Sequence, residues 1–244
     1  MKQPLVIGVG GLLEKDENGR IQEMLSAMEK RGCVTYAHVF RTICRDGNRI
    51  ICPVNGGWID DIKEVIRPAM EDEHVDQKRV GFIASSLGAT FLDYFLASDE
   101  TLTDKSKPYA SIAPYAKVNG GVVAHIKRMI ERKIDLDVSS PHDTERGIKR
   151  IIPSSCLEMV LDIDVPKVLT QRQKPYSIMP LTILGLKDDR ADNEAIRKRH
   201  KILNGREQDL IELDCGHNIP QELIQERILQ FMYSNLGLGQ SMAA

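Results

Sequence analysis

Three places in the sequence carry residues able to share one hydrolytic reaction. In RVGFIASSLGATFLDYF, an apolar run over 79–84 meets Ser85 and Ser86 and passes into a helical run over 87–98. In PLTILGLKDDRAD, Asp188 and Asp189 follow the apolar run 180–186. In LIELDCGHNIP, His217 follows the run 209–213. A serine hydroxyl is a weak nucleophile until a base takes its proton. An imidazole base needs an acid to hold its tautomer. Each site also has a plainer reading: the serines as a helix cap, the aspartates as solvated loop residues, His217 as a helix-entry residue. What ties them together is placement. Each lies where an apolar strand gives way to a loop, the rim at which open α/β sheets bind ligands.

The first of these segments resembles the nucleophile elbow, small-x-Ser-x-Gly, of the α/β-hydrolase family. The elbow turns so tightly that the residues two before and two after the serine must be small. Here those positions are Ala84 and Gly88, which selects Ser86 over Ser85. Alanine stands at 84 where glycine is commoner, and it still meets the size rule. The turn lifts the hydroxyl clear of the backbone, at a helix N-terminus where developing negative charge is favoured. The second segment resembles the family's strand-Gly-x-x-Asp, so that Gly185 and Asp188 match it, with Asp189 the near alternative. The third resembles the family's Gly-His before the last helix, through Gly216 and His217. Ser, Asp, His is also the family's chain order.

A fourth segment, Gly8-Val9-Gly10-Gly11, follows the first apolar run. It resembles the His-Gly-x-Gly-Gly-like turn of many family members, with Ile7 where the histidine usually sits. The resemblance implies that the backbone N–H groups of Val9 and Leu87 form the oxyanion hole. A phosphate loop is the rival, but GVGG lacks the third glycine of GxGxxG and LLEKDENGR does not open a helix.

The elements that must position these residues alternate. Strands are expected at 4–9, 33–40, 79–84, 109–116, 180–186 and 209–213. Helices are expected at 19–31, with Gly32 as C-cap, and at 60–70, 87–98, 192–203 and 220–236, the last with Pro220 in its first turn. That alternation predicts a mostly parallel twisted sheet with helices on both faces. The resemblance spans most of the chain and implies a compact family member that begins at the oxyanion strand. RDGNR reads as a turn, and the tail GLGQSMAA as frayed. Residues 117–177 break the alternation. They read as a lid inserted between the core segments 1–116 and 178–244 of one domain. Its helix over 122–133 would turn Val123, Ile126, Met129 and Ile130 toward the site, with Ile126 and Met129 as substrate contacts.

The bulk properties exclude other classes. The 244 residues suit one domain able to bury a core without staples. The formal net charge of −2 lacks the basic surplus of a nucleic-acid binder. Cys33, Cys44, Cys52, Cys156 and Cys215 form no CxxC pair, and no run reaches the length of a membrane span. Reduced thiols and a cytoplasmic location are expected. The histidines show no HxH or HxxxH spacing, so no metal and no cofactor are expected. Residues 197–201, RKRHK, read as a solvated basic helix face, and 117–177 is net basic. The resemblance implies a hydrolase of carboxylic esters or thioesters, nearest to lysophospholipase-like and dienelactone-hydrolase-like types. A non-catalytic ligand-binding protein of the same fold is the alternative. The partner is a small molecule, and the sequence leaves the oligomeric state open.

Overall fold

Six parallel strands form the central sheet of the computed structural model, in the spatial order β10-β9-β6-β5-β1-β2. They are β1 (Gln3–Val9), β2 (Val34–His38), β5 (Val75–Ser85), β6 (Lys107–Ile112), β9 (Ile178–Gly185) and β10 (Leu210–Leu213). The structure describes residues 2–11, 19–38, 44–46, 49–51, 57–98, 107–137, 139, 144–145, 147–172 and 176–238.

Side chains alternate across a strand, and the two faces of this sheet bury two separate clusters. Leu5, Ile7, Val9, Phe82, Ala84, Tyr109 and Leu184 face one. Val6, Ile83, Ala110, Ile112, Leu181 and Ile183 face the other. The first face is covered by α2 (Gly57–Glu71), α3 (Ser86–Ser98) and α7 (Asn193–Ile202), through residues such as Ile62, Ile66, Phe95 and Ile196. The second is covered by α1 (Arg20–Glu29) and α8 (Gln225–Asn235), through Met24, Leu25, Met28, Ile228 and Met232. Each of these side chains contributes about 1.5–3 kcal/mol by leaving water. The sheet is parallel with helices on both faces, as the alternation predicts.

Several elements differ from their expected extent. α2 runs through Pro68, which sits in its last turn and removes a single backbone donor. β6 stops at Ile112, because the chain bends at Ala113, which takes a left-handed φ of 43°. Pro220 leads a short 3-10 turn, Gln221–Leu223, and α8 itself starts only at Gln225. Gly32, with φ 81°, follows α1 in the left-handed conformation that ends helices.

Segment 117–177 holds more regular structure than the alternation suggests. It contains α4 (Gly120–Glu131), β7 (Leu136–Asp137), β8 (Lys149–Ile152), α5 (Leu157–Leu161) and α6 (Val165–Thr170). β7 and β8 join β3 (Cys44–Asp46) and β4 (Arg49–Ile51) in a second sheet, ordered β3-β4-β8-β7. β3 and β4 pair antiparallel. The centre of the RDGNR segment, 47–48, lies outside the described residues, as do 239–244 of the tail. Leu157, Val160, Ile163, Val165 and Leu169 enter the same core cluster as α3. Their segment is tied to that helix where Asp164 N–H donates to the Tyr94 hydroxyl at 3.3 Å.

Candidate active site

The elbow is built by a strained serine between two small neighbours. β5 ends at Ser85, and α3 begins at Ser86, which holds a left-handed φ of 48°. A non-glycine residue there stores on the order of 1–3 kcal/mol, which the surrounding packing must offset. Gly88 shows why the position admits no side chain: a Cβ would lie 2.2 Å from the Gly10 carbonyl oxygen and 2.6 Å from that of Val9. Ala84 is fully buried and paired with Val9 on one side and Ser111 on the other. The Val9–Gly11 turn is therefore pressed against the elbow, and the Gly11 N–H donates to Ser85 Oγ at 3.0 Å.

The acid and the histidine are brought together by an extension of the β9–β10 pairing. Beyond the ladder, Leu186 N–H donates to Leu213 C=O at 2.8 Å and Lys187 N–H to Cys215 C=O at 2.9 Å. Gly185 permits this approach, since a Cβ there would stand 2.3 Å from the Gly216 oxygen. The Asn193 amide donates to the Gly185 and Leu186 carbonyls at 3.1 and 3.3 Å, bracing the turn.

The three side chains then form a chain of hydrogen bonds. Ser86 Oγ lies 2.8 Å from His217 Nε2, and His217 Nδ1 lies 2.7 Å from Asp188 Oδ2. An ionised carboxylate only accepts, so Nδ1 carries the proton and Nε2 of the neutral ring accepts from the serine hydroxyl. The other carboxylate oxygen, Asp188 Oδ1, accepts the N–H groups of Arg190 and Ala191 at 2.9 and 3.1 Å. Burial pushes the Asp188 carboxyl up. The His217 bond and the two amides outweigh it and hold the group below the ordinary carboxylate range.

The other residues singled out in the sequence are placed as follows. Val9 is the last residue of β1, fully buried, and Leu87 follows Ser86 in the first turn of α3. Asp189 is exposed beside its buried neighbour Asp188. Ile126 on α4 is 1% exposed and belongs to the core cluster, while Met129 is partly buried against it. α4 starts beside the acid turn, where Asn119 N–H donates to Arg190 C=O at 2.9 Å. Among the described residues no group of three or more His, Cys, Asp or Glu could hold a metal ion. No helix there is long and apolar enough to cross a membrane.

Two features lay outside the sequence reading. Tyr115 packs edge to face with His217, their ring centroids 6.3 Å apart and their planes at 79°. The RKRHK run is not wholly solvated: Arg199 and His200 are buried. Arg199 forms a bidentate pair with Asp93 of α3 at 2.5 and 2.8 Å. Asp93 stands just under two helical turns after Ser86 on α3.

No family model matches this sequence, and no curated protein matches it. Solved structures do match. An alpha/beta hydrolase, GrgF from Penicillium sp. sh18, is 14% identical with a TM-score of 0.67, over 97% of this chain and 91% of that one. A monoacylglycerol lipase from Paleococcus ferrophilus is 17% identical with a TM-score of 0.64, over 96% of each chain. A soluble variant of monoglyceride lipase from Saccharomyces cerevisiae is 9% identical with a TM-score of 0.69, over 96% of this chain and 87% of that one. The sheet, its helices and these likenesses establish the α/β-hydrolase fold.

Proposed function

We propose that the protein is a serine hydrolase cleaving carboxylic esters, or the related thioesters, through a covalent acyl-enzyme. The observation that carries this reading is the unbroken chain from Ser86 Oγ to His217 to Asp188, at 2.8 and 2.7 Å. The solved structures that share its fold include two named as monoacylglycerol or monoglyceride lipases, which favours an ester substrate.

In this reading His217 Nε2 takes the Ser86 proton as the oxygen attacks the substrate carbonyl. The tetrahedral oxyanion rests on the Val9 and Leu87 amides, each on the order of 3 kcal/mol of barrier. His217 then gives the proton to the departing alcohol or thiol, leaving the acyl group on Ser86. Water, deprotonated by the same imidazole, releases the acid and restores the serine. Asp188 stays ionised throughout, holds the Nδ1–H tautomer and stabilises the transient imidazolium. Segment 117–177 acts as the lid. The start of α4 beside the Asp188 turn supports that role, and the partly buried Met129 meets substrate when the lid moves. Ile126 reaches substrate only if α4 leaves its core packing.

The test is labelling of the full chain with a fluorophosphonate, peptide mapping of the adduct, and a chain-length panel of p-nitrophenyl esters and thioesters. Adduct on Ser86 with turnover of at least one ester supports the reading. Absence of both would leave a ligand-binding protein of this fold.

A further inference from the structure

Tyr115 reaches the site by a route that depends on a backbone anomaly. β6 ends at Ile112, and the chain bends at Ala113, which takes a left-handed φ of 43°. Left-handed backbone at a non-glycine residue is uncommon and costs energy, so something holds it. Two bonds to the nucleophile helix do so. The Tyr115 N–H donates to the Ser86 carbonyl at 3.4 Å, and the Thr90 hydroxyl donates to the Tyr115 carbonyl at 2.8 Å. The backbone of residue 115 is thus fastened to the elbow itself, and Tyr115 moves with Ser86 rather than with the loop that follows.

The side chain then meets the imidazole edge to face, at 6.3 Å and 79°. This is a favoured geometry for two rings, worth on the order of 0.5–1.5 kcal/mol between aromatic pairs. Burial, and then the Asp188 charge, pushes the phenol up to about 12, so it adds no charge beside the imidazole.

His217 has need of such a contact. It lies in an irregular loop between β10 and the 3-10 turn at Gln221–Leu223, without a helix or strand to fix its χ angles. Its two hydrogen bonds hold the two nitrogens. They leave the ring free to tilt about the line joining those atoms, and the bond to Ser86 is lost whenever the serine is acylated. We propose that Tyr115 is a positioning residue, whose ring holds the His217 imidazole in the plane shared by Ser86 and Asp188. This rests on the triad reading above.

The proposal is tested on the full chain with Tyr115→Phe, which keeps the ring, and Tyr115→Leu, which removes it. Two readouts are independent. The imidazole nitrogen chemical shifts of His217 report its tautomer without any substrate. Ester kinetics give kcat, KM and the pH profile of kcat/KM. For Tyr115→Phe, the tautomer and the profile should be those of the wild type, with kcat within about twofold. For Tyr115→Leu, the nitrogen shifts should move toward a tautomer mixture. Its kcat should fall at least about tenfold with a smaller change in KM, since small misplacements of reacting groups carry large rate losses. The acid limb of its profile should also move. Should Tyr115→Leu fail to fold, Tyr115→Met takes its place. The proposal is overturned if the ring-less variant keeps the wild-type nitrogen shifts and kcat. It is equally overturned if Tyr115→Phe loses as much as the ring-less variant, for then the hydroxyl matters and the ring does not. A wild-type protein that neither labels nor turns over any ester would sink the hydrolase reading alone, and the nitrogen shifts would still decide the role of Tyr115.

Discussion

The Ser85 hydroxyl accepts the backbone N–H of Gly11 at 3.0 Å, so the residue before the proposed nucleophile ties the glycine turn to the elbow. The two adjacent serines thereby have different work. Ser86→Ala should abolish fluorophosphonate labelling and ester turnover while the protein keeps its melting temperature, since alanine holds the same left-handed backbone. Ser85→Ala removes an acceptor from a partly buried amide, at about 1–3 kcal/mol. It should still label on Ser86, with a reduced rate because the Val9–Gly11 turn, proposed above to carry the oxyanion, is less firmly seated. Labelling of the Ser86→Ala protein would move the nucleophile elsewhere.

The two adjacent aspartates separate in the same way. Asp188 is buried and bonded to His217 and two amides, whereas Asp189 is exposed. Asp188→Asn should lose kcat by about four orders of magnitude, because the carboxamide no longer enforces the Nδ1–H tautomer. Asp189→Asn should change it little. Stability gives a second readout with a definite sign. The folded-state value of Asp188 is depressed, so its contribution is present above the unfolded carboxylate value of about 4 and is lost as pH falls through the lowered folded value. Urea titrations from pH 7 down to pH 2 should show the wild type losing its advantage over Asp188→Asn in the acid range. A constant difference across that range would remove the linkage.

The sequence makes the central sheet readable because burial on both faces writes continuous apolar runs, such as LVIGV and LTILG, bounded by glycines. The elbow is readable because a steric rule acts over five residues, Ala84 to Gly88, and leaves a local mark. The second sheet leaves no such mark. β7 has two residues, β4 has three, and β4 pairs with β8 across about a hundred positions of chain. Local pattern cannot report a pairing decided by tertiary contact. Arg199 escapes for the same reason: on its own helix it belongs to a basic run, and only Asp93, far off in sequence, explains its burial. Tyr115 reads as part of a strand because nothing in YASIAPYA announces left-handed backbone at Ala113.

The close backbone approaches around the site predict which small residues tolerate least. A methyl on Gly88 would stand 2.2 Å from the Gly10 oxygen, and one on Gly185 2.3 Å from the Gly216 oxygen. Both contacts are with backbone, so relief requires the loops to part. Gly88→Ala should displace the Val9–Gly11 turn and Gly185→Ala the loop that carries His217. Each should lower kcat more than a hundredfold and destabilise the protein. Ala84→Val, in a fully buried site, should cost about 1–3 kcal/mol by overpacking. Thermal melts and ester kinetics on the three variants check this. A stable and fully active Gly88→Ala protein would show the elbow to be looser than its geometry requires.

The buried pair of Arg199 and Asp93 yields the last prediction. Both side chains are without solvent exposure. Burial works against the Arg199 charge, and the Asp93 carboxylate outweighs it, keeping the guanidinium ionised. Arg199 also donates to Ser111 and Thr182 at 3.1 and 3.2 Å and lies over the Tyr109 ring, with its guanidinium carbon 5.0 Å from the centroid. The group therefore joins α3, which starts at Ser86, to β6, to α7 and to β9, which leads to Asp188. Removing one partner strands a charge in the core, at about 3–5 kcal/mol. For a chain of this length that corresponds to a fall in Tm on the order of 10 °C. Arg199→Met and Asp93→Leu should each show it. The double variant should be markedly less damaged than the sum, because no charge is left unpaired and Ser111 and Thr182 still bond each other at 3.3 Å. Additive losses would mean that the two groups contribute through separate packing contacts rather than as a pair. Ester kinetics on the double variant add a check on position: a kcat close to that of the wild type would mean that the elbow and the acid strand hold their spacing without this link.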